Sequence, residues 1–384
     1  MTKIIQKIHY LFFPGLLFAF PVNSLAQDSL TYSGQFSAWV HYNPANKLNT
    51  WLGGRYLPQL NYKYNLKNNK LIDFEVSANI FGTIGIHAFD SLHSDGKIKP
   101  YRAWIRYSTN QLEIRLGLQK INFGSAAMLR PLMWFDQIDP RDPLQLTDGV
   151  WGALGRYYFL NNANIWIWCL YGNKNPKGWE KAGTRINYPE MGGRAQIPVP
   201  KGEIALSYHY RVSDTRNLGP SIPAFSEAPE NRIGIDGRWD LGIGLWFEGS
   251  YIKNSRNIGI YRNQEFLNAG IDNTFGIGNG LHMVFEQLLA SYDENAFAFS
   301  NKISFSGLSF SYPVGIFDNV SAIVYYDWTN TSLYNFVNWK RQFDKITFYL
   351  MAYWNPGNYQ IPLRSGSENL YSGKGVQIMF VYNH

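Results

Sequence analysis

Apolar and polar residues alternate along most of this chain. From Leu52 to Leu66 the even positions include Leu52, Tyr56, Leu60, Tyr62, Tyr64 and Leu66, and the odd ones include Arg55, Gln59, Asn61, Lys63 and Asn65. A period of two puts each set on its own face of a strand, one apolar and one polar. The same rhythm runs through Ile72, Phe74, Val76, Ala78 and Ile80 against Asp73, Glu75, Ser77 and Asn79, and through Leu112, Ile114, Leu116 and Leu118 against Glu113, Arg115 and Gln119. Extended in this way, the pattern predicts eighteen strands, with starts near Tyr32, Leu52, Leu71, Tyr101, Gln111, Gly149, Ala163, Met191, Gly202, Asn231, Gly242, Glu265, Leu281, Phe297, Asn319, Leu333, Lys345 and Gly373. Sixteen is the fallback count. Segments of about 9 to 13 residues are the length of a tilted strand crossing a bilayer.

The connections alternate too. Lys67 to Lys70, Ser108 to Asn110, Leu160 to Asn162, Val199 to Lys201, Asp240 to Leu241, Gly276 to Gly280, Ser311 to Asp318 and Gln342 to Asp344 are short. Gly82 to Lys97, Gly124 to Asp148, Asn173 to Glu190, Ser213 to Glu230 and Asn355 to Ser372 are long and rich in Gly, Pro, Asn and Ser. Short turns on one side and long loops on the other describe an all-β, transmembrane, up-and-down antiparallel barrel, with periplasmic turns, extracellular loops and both termini in the periplasm. Aromatic residues near strand ends, Trp39, Trp51, Tyr101, Trp239, Tyr251, Trp328 and Trp354, are expected in the interfacial girdles.

Composition agrees with this reading. Charged residues are 16% of the 384, where roughly 25% is usual, and Trp, Tyr and Phe make up 17%. Lys3 and Lys7, an apolar run from Tyr10 to Phe20, and Ser24, Leu25 and Ala26 read as a leader, residues 1–26, cut after Ala26; residues 27–384 are then one barrel domain. The one cysteine, Cys169, lies on the apolar face of its strand and has no partner for an intrachain disulfide. A net charge of +7, or +5 without Lys3 and Lys7, interspersed with acids, does not point to nucleic acid. No zinc spacing, phosphate loop or dinucleotide fingerprint occurs, and no cofactor is expected.

A barrel this wide encloses an aqueous lumen unless a loop intrudes, so passage of solutes is the default function. The polar parity carries Arg55, Arg102, Arg106, Arg115, Arg156, Arg194, Arg211, Arg232 and Arg238, all on the second to tenth strands, which makes them the candidate channel lining. The eleventh to fifteenth strands instead carry Glu248, Asp272, Glu286 and Asp327, predicting a transverse field. Guanidinium forks suit carboxylate or phosphate, and the competing role for each arginine is pairing within the wall. The connection from Gly124 to Asp148 is too apolar for a solvated tip: Met128, Leu132, Trp134 and Phe135 predict that it folds inward. It is the candidate constriction, carrying Arg130, Asp136, Asp139, Arg141, Asp142 and Asp148, with its four aspartates facing basic strands; the alternative is a lid on the extracellular rim. Ser207 and His209 share a face, but no local motif supplies the third group that a hydrolase needs, so no enzyme is expected.

Over the mature chain this architecture resembles the porin superfamily of Gram-negative outer membranes, particularly the larger barrels related to alginate-export and anion- or substrate-specific porins. Arg115 to Gly124, followed by Asp139-Pro140 and Asp142-Pro143, is similar to the strand and loop by which such proteins enter their constriction. The aromatic, Asn-rich composition resembles that of outer-membrane proteins from Bacteroidetes-like bacteria. The alternating last strand, Gly375 to His384, is similar to the signal read by outer-membrane assembly machinery, although that signal more often ends in an aromatic residue than in His384. The resemblance implies an outer-membrane channel in contact with lipid and passive diffusion of small hydrophilic solutes with an anion preference, as a monomer or a homotrimer. The alternative is export of an acidic polysaccharide.

Overall fold

The computed structural model describes residues 28–87, 91–357 and 370–384; the expected leader, residues 1–26, lies outside them. The strands are β1 (Asp28–Tyr42), β2 (Thr50–Leu66), β3 (Lys70–His87), β4 (Ser91–Ser108), β5 (Leu112–Gln119), β6 (Val150–Tyr158), β7 (Asn164–Leu170), β8 (Gly183–Thr184), β9 (Glu190–Val199) and β10 (Gly202–Asp214). There follow β11 (Ala228–Asp240), β12 (Gly244–Asn254), β13 (Asn263–Phe275), β14 (Leu281–Asp293), β15 (Lys302–Pro313), β16 (Asp318–Asp327), β17 (Ser332–Gln342), β18 (Ile346–Trp354) and β19 (Lys374–Asn383). Neighbours pair antiparallel all the way round, and β1 pairs with both β2 and β19, so the sheet closes on itself. The two-residue β8 continues the line of β9 along β10, leaving eighteen staves in the wall. No helix among the described residues is long and apolar enough to cross a membrane.

The burial pattern is that of a soluble protein turned inside out. Leu52, Val76, Ile105, Leu206, Ile235 and Ile378 are exposed on the outer face, whereas Asp73, Arg194, Arg211, Glu248 and Glu286 are buried on the inner one. Aliphatic side chains gain nothing by facing an aqueous lumen but satisfy hydrocarbon, and backbone groups are paired within the closed sheet. Cys169 is exposed on the outer face. Ile235 lies mid-strand in β11, 49% exposed. Ile235→Arg is therefore expected to cost about 2–4 kcal/mol when urea unfolding is followed in lipid vesicles. No change there would mean that this face does not meet hydrocarbon.

Several expectations are corrected. The stretch from Gly82 to Lys97 is not an open loop: β3 and β4 stay paired from Phe81↔Lys97 up to His87↔Ser91. The strand expected near Phe297 begins at Lys302, because Phe297 and Phe299 adopt left-handed backbone angles (φ 58° and 52°) that an extended strand cannot hold. Trp39 and Trp51 face inward, opposite Gly53 and Gly85, rather than joining an outer girdle. Most of the connection from Asn355 to Ser372 lies outside the described residues. His384 completes the wall: its amide and carbonyl pair with Gly34, and its ring stacks on Tyr56 and Tyr382, so it takes the place of a terminal aromatic.

Candidate functional site

The connection from β5 to β6 enters the barrel and crosses it as a strap. Ile121, Phe123, Leu132, Trp134 and Phe135 pack with Val150, Leu154, Trp168 and Leu170 of β6 and β7. Met128, Leu129 and Met133 pack with Trp246, Phe266, Leu288, Phe305 and Tyr325 on the far wall. Leu144 reaches a third cluster, Tyr349, Met351, Met379 and Val381. The strap lies flush against β11 because Gly234 has no side chain: a Cβ there would come within 2.4 Å of the Leu132 side chain.

Polar bonds fix the crossing. The Glu248 carboxylate on β12 accepts the amides of Ala126 (2.6 Å) and Leu132 (3.2 Å). Glu286 on β14 accepts those of Ala127 (2.5 Å), Met128 (3.1 Å) and Leu129 (2.6 Å). The Trp134 indole donates to Ser250, and Asn268 donates to the Leu129 carbonyl. Five amides that would otherwise be buried without partners thus meet two carboxylates, which are themselves stabilised by charge-assisted bonds.

The loop acids do not all face basic strands. Asp136 pairs with Arg130 (2.7 and 3.2 Å) and Asp139 with Arg141 (2.8 and 2.6 Å), both inside the strap. A guanidinium two or six residues away is reached at less entropic cost than one across the lumen. Asp142 accepts the amides of Leu144 and Leu146; burial pushes its carboxyl above the ordinary range, opposed by those amides and by Arg55. Asp148 ion-pairs with the wall through Lys99 (2.6 Å).

The nine wall arginines form separate groups rather than one row. Arg55 lies over the rings of Trp39 and Phe81. Arg102 is buried, donating to the carbonyls of Tyr101 (2.5 Å) and Thr147 (3.0 Å), so it braces the returning strap. Arg106, Arg115 and Arg156 gather near the short-turn end. Arg106 binds Asp73 (2.9 and 2.7 Å), and all three approach Glu113 (3.3, 3.2 and 3.4 Å). Arg106 and Arg115 also lie over Trp104, and Arg156 over Trp166. Arg194 forms a buried fork with Asp236 (2.5 and 2.9 Å) and also donates to Ser207. Arg211 and Arg232 share Glu230 and the loop residue Glu180. Arg238 pairs with Asp272 (2.7 Å).

The acidic arc is likewise engaged rather than free. On the acidic arc Glu248 and Glu286 are occupied by the strap, Asp272 by Arg238, and Asp327 by the amides of Thr329 and Asn330. His209 accepts the Trp168 indole at Nδ1 (3.1 Å) and turns Nε2 towards Glu190 (3.3 Å), while the Ser207 hydroxyl is engaged by Arg194.

A second connection, between β7 and β9, lies over the strap. Trp179 donates to the Arg130 carbonyl (2.7 Å) and packs on Phe266. At strap level Ser37, Ser77, Arg102, Ser207, Glu248, Glu286, Tyr325 and Met379 are all less than a tenth exposed, so little free cross-section remains at that height. Beneath Arg141 lies a pocket of about 60 Å³, and a wider cavity of about 620 Å³ opens at the short-turn end beside Asn319, Lys340 and Gln342. Periodicity singled out Glu248 and Glu286 only as inward acids. The small residues at Ser125, Ala126 and Ala127, which leave strap amides accessible, were the signal that links them to the loop.

No protein-family model and no curated protein matches the chain. Solved structures do. An anion-selective porin from Comamonas acidovorans aligns over 93% of this chain and 100% of its own at 12% identity, with a TM-score of 0.50. OccAB1 of Acinetobacter baumannii aligns over 93% and 96% at 9% identity, with a TM-score of 0.56. OmpT, an outer-membrane protein of Vibrio cholerae described in a trimer form, aligns over 93% and 100% at 10% identity, with a TM-score of 0.52. At these identities the likeness is one of fold.

Proposed function

We propose that this chain is an outer-membrane, porin-like channel for small hydrophilic solutes, with its short turns in the periplasm, its long loops outside the cell and a modest preference for anions. The observation that carries this reading is a closed eighteen-stave wall, apolar outside and polar inside, with a long loop folded across its lumen. The anion preference rests on Arg106, Arg115, Arg156 and Lys63 outnumbering Asp73, Glu75 and Glu113 on the periplasmic side of the strap. Arg55 and Arg102 are assigned to the lumen wall beside the strap, and Arg194, Arg211, Arg232 and Arg238 to its paired framework. The buried ring at strap level favours narrow, solute-dependent passage over wide diffusion and argues against a polysaccharide conduit. In this reading the barrel lies in lipid, is inserted through its last strand and assembles as a trimer.

Planar-bilayer recording of the refolded chain under a salt gradient tests this directly. Discrete steps with an anion-biased reversal potential are expected. A correctly folded, inserted barrel that stays silent in chloride and in organic-anion salts alike would sink the channel reading.

A further inference from the structure

We propose that the connection between β7 and β9 is a lid held shut by its own carboxylate, Glu180, and that Arg211 and Arg232 beneath it form a receptor for the carboxylate group of an incoming solute. The proposal deepens the channel reading above and rests on it for the direction of solute entry.

Among the wall residues one carboxylate touches both arginines; the next wall acid, Glu190 on β9, faces His209 and the lid residue Lys177. Glu230 lies directly across from Arg211 and two residues before Arg232 on the same face of β11. Its carboxylate serves both guanidiniums, at 2.7 and 3.0 Å to Arg211 and 2.7 and 2.8 Å to Arg232. Two guanidiniums therefore share one wall carboxylate. The second arrives from the lid: Glu180 reaches Arg211 at 3.0 Å and Arg232 at 2.6 Å, and all four side chains are at most 4% exposed. Such a pair, which loses one of its two contacting carboxylates when the loop above it lifts, is chemically prepared for a free carboxylate.

Local sequence explains how the lid delivers Glu180. Gly178 has φ 51°, and its Cα lies so close to the Met133 carbonyl that a Cβ would clash at 1.7 Å. That turn drops Trp179 between the strap and Phe266 and puts Glu180 on the arginines, while Glu180 also accepts the Lys177 amide (2.9 Å). A solute carboxylate binds the arginines only when Glu180 has left them. Binding and lid opening are then one equilibrium, and apparent affinity is reduced by the fraction of time the lid is shut.

Hydrogen exchange and calorimetry on the folded full-length barrel, with succinate as probe and chloride at equal ionic strength as control, test the proposal. In the unaltered chain succinate is expected to speed exchange across residues 173–189, and chloride is not. Glu180→Gln is expected to exchange about tenfold faster there without any ligand and to bind succinate about tenfold more tightly. Should Glu180→Gln fail to fold, the response of the unaltered chain to succinate decides alone. A lid that ignores succinate, or a folded Glu180→Gln barrel with unchanged protection and affinity, would overturn the proposal. These readouts need no conduction, so a barrel silent in bilayers but responsive here would refute the channel and retain the receptor.

Discussion

Replacing both Glu248 and Glu286 by Gln is expected to turn a narrow conductance into larger, flickering steps, with the barrel still intact. The two carboxylates hold five strap amides. Each Gln keeps one accepting oxygen but presents an NH₂ group to the remaining donors, leaving buried N–H groups unpaired at about 1–3 kcal/mol each. Relief from burying two charges offsets part of that loss, so the net loosening is about 2–4 kcal/mol. The strap does not leave altogether, because Leu129, Leu132 and Trp134 are almost wholly buried and each contributes about 1.5–3 kcal/mol of apolar contact. Loosening without release produces fluctuation, and adding Trp134→Ala should convert it to a stable wide state. The wall does not depend on these bonds, since its staves pair all round. Heat-modifiable gel migration should therefore be unchanged, and a folded double variant with unaltered step size would remove these acids from control of the lumen.

The strands were legible because lipid outside and water inside impose opposite demands on alternate residues, and that demand is local. Where it competes with turn chemistry, reading fails. Gly82, Gly85, Ser94, Asp95 and Gly96 look like a loop, yet Ile84, Ile86, Leu92 and Ile98 keep the alternation going, and pairing between β3 and β4 decides the outcome. Around Phe297 the opposite error arises, since alternating Ala and Phe imitate a strand where the backbone turns left-handed. The site was legible in kind but not in partners. Parity puts Arg211 on the inner face, but Glu230 falls at the end of an expected loop although β11 already pairs it with Arg211, and nothing in the spacing announces that Glu180 will join them from another loop. Charge counts miss these partners for the same reason: they treat as free the groups that the fold engages.

Selectivity should move in opposite directions for two single substitutions in the Arg106, Arg115 and Arg156 group. Three guanidiniums and Lys63, which lies across from Asp73, face Asp73, Glu75 and Glu113, an excess of one positive charge. Arg106 and Arg115 are direct cross-strand partners, an arrangement of like charges that costs stability unless an anion lies between them. Arg115→Gln cancels the excess and is expected to shift the reversal potential towards cations, changing the permeability ratio by about twofold, whereas Glu113→Gln should shift it towards anions by a similar factor. Arg115 is the informative choice because its one ion pair among the described residues is with Glu113, which keeps Arg106 and Arg156 after the change. Arg194→Gln is the contrasting case: it abandons Asp236, whose side chain is 4% exposed, and leaves a buried charge unpaired at about 3–5 kcal/mol. That variant should report lost stability rather than altered selectivity. Recording at low salt sharpens the difference, because these side chains still touch lumenal water and are screened within roughly 10 Å at 0.1 M. If both substitutions in the group move the potential in the same direction, the excess charge at this position does not set the anion preference.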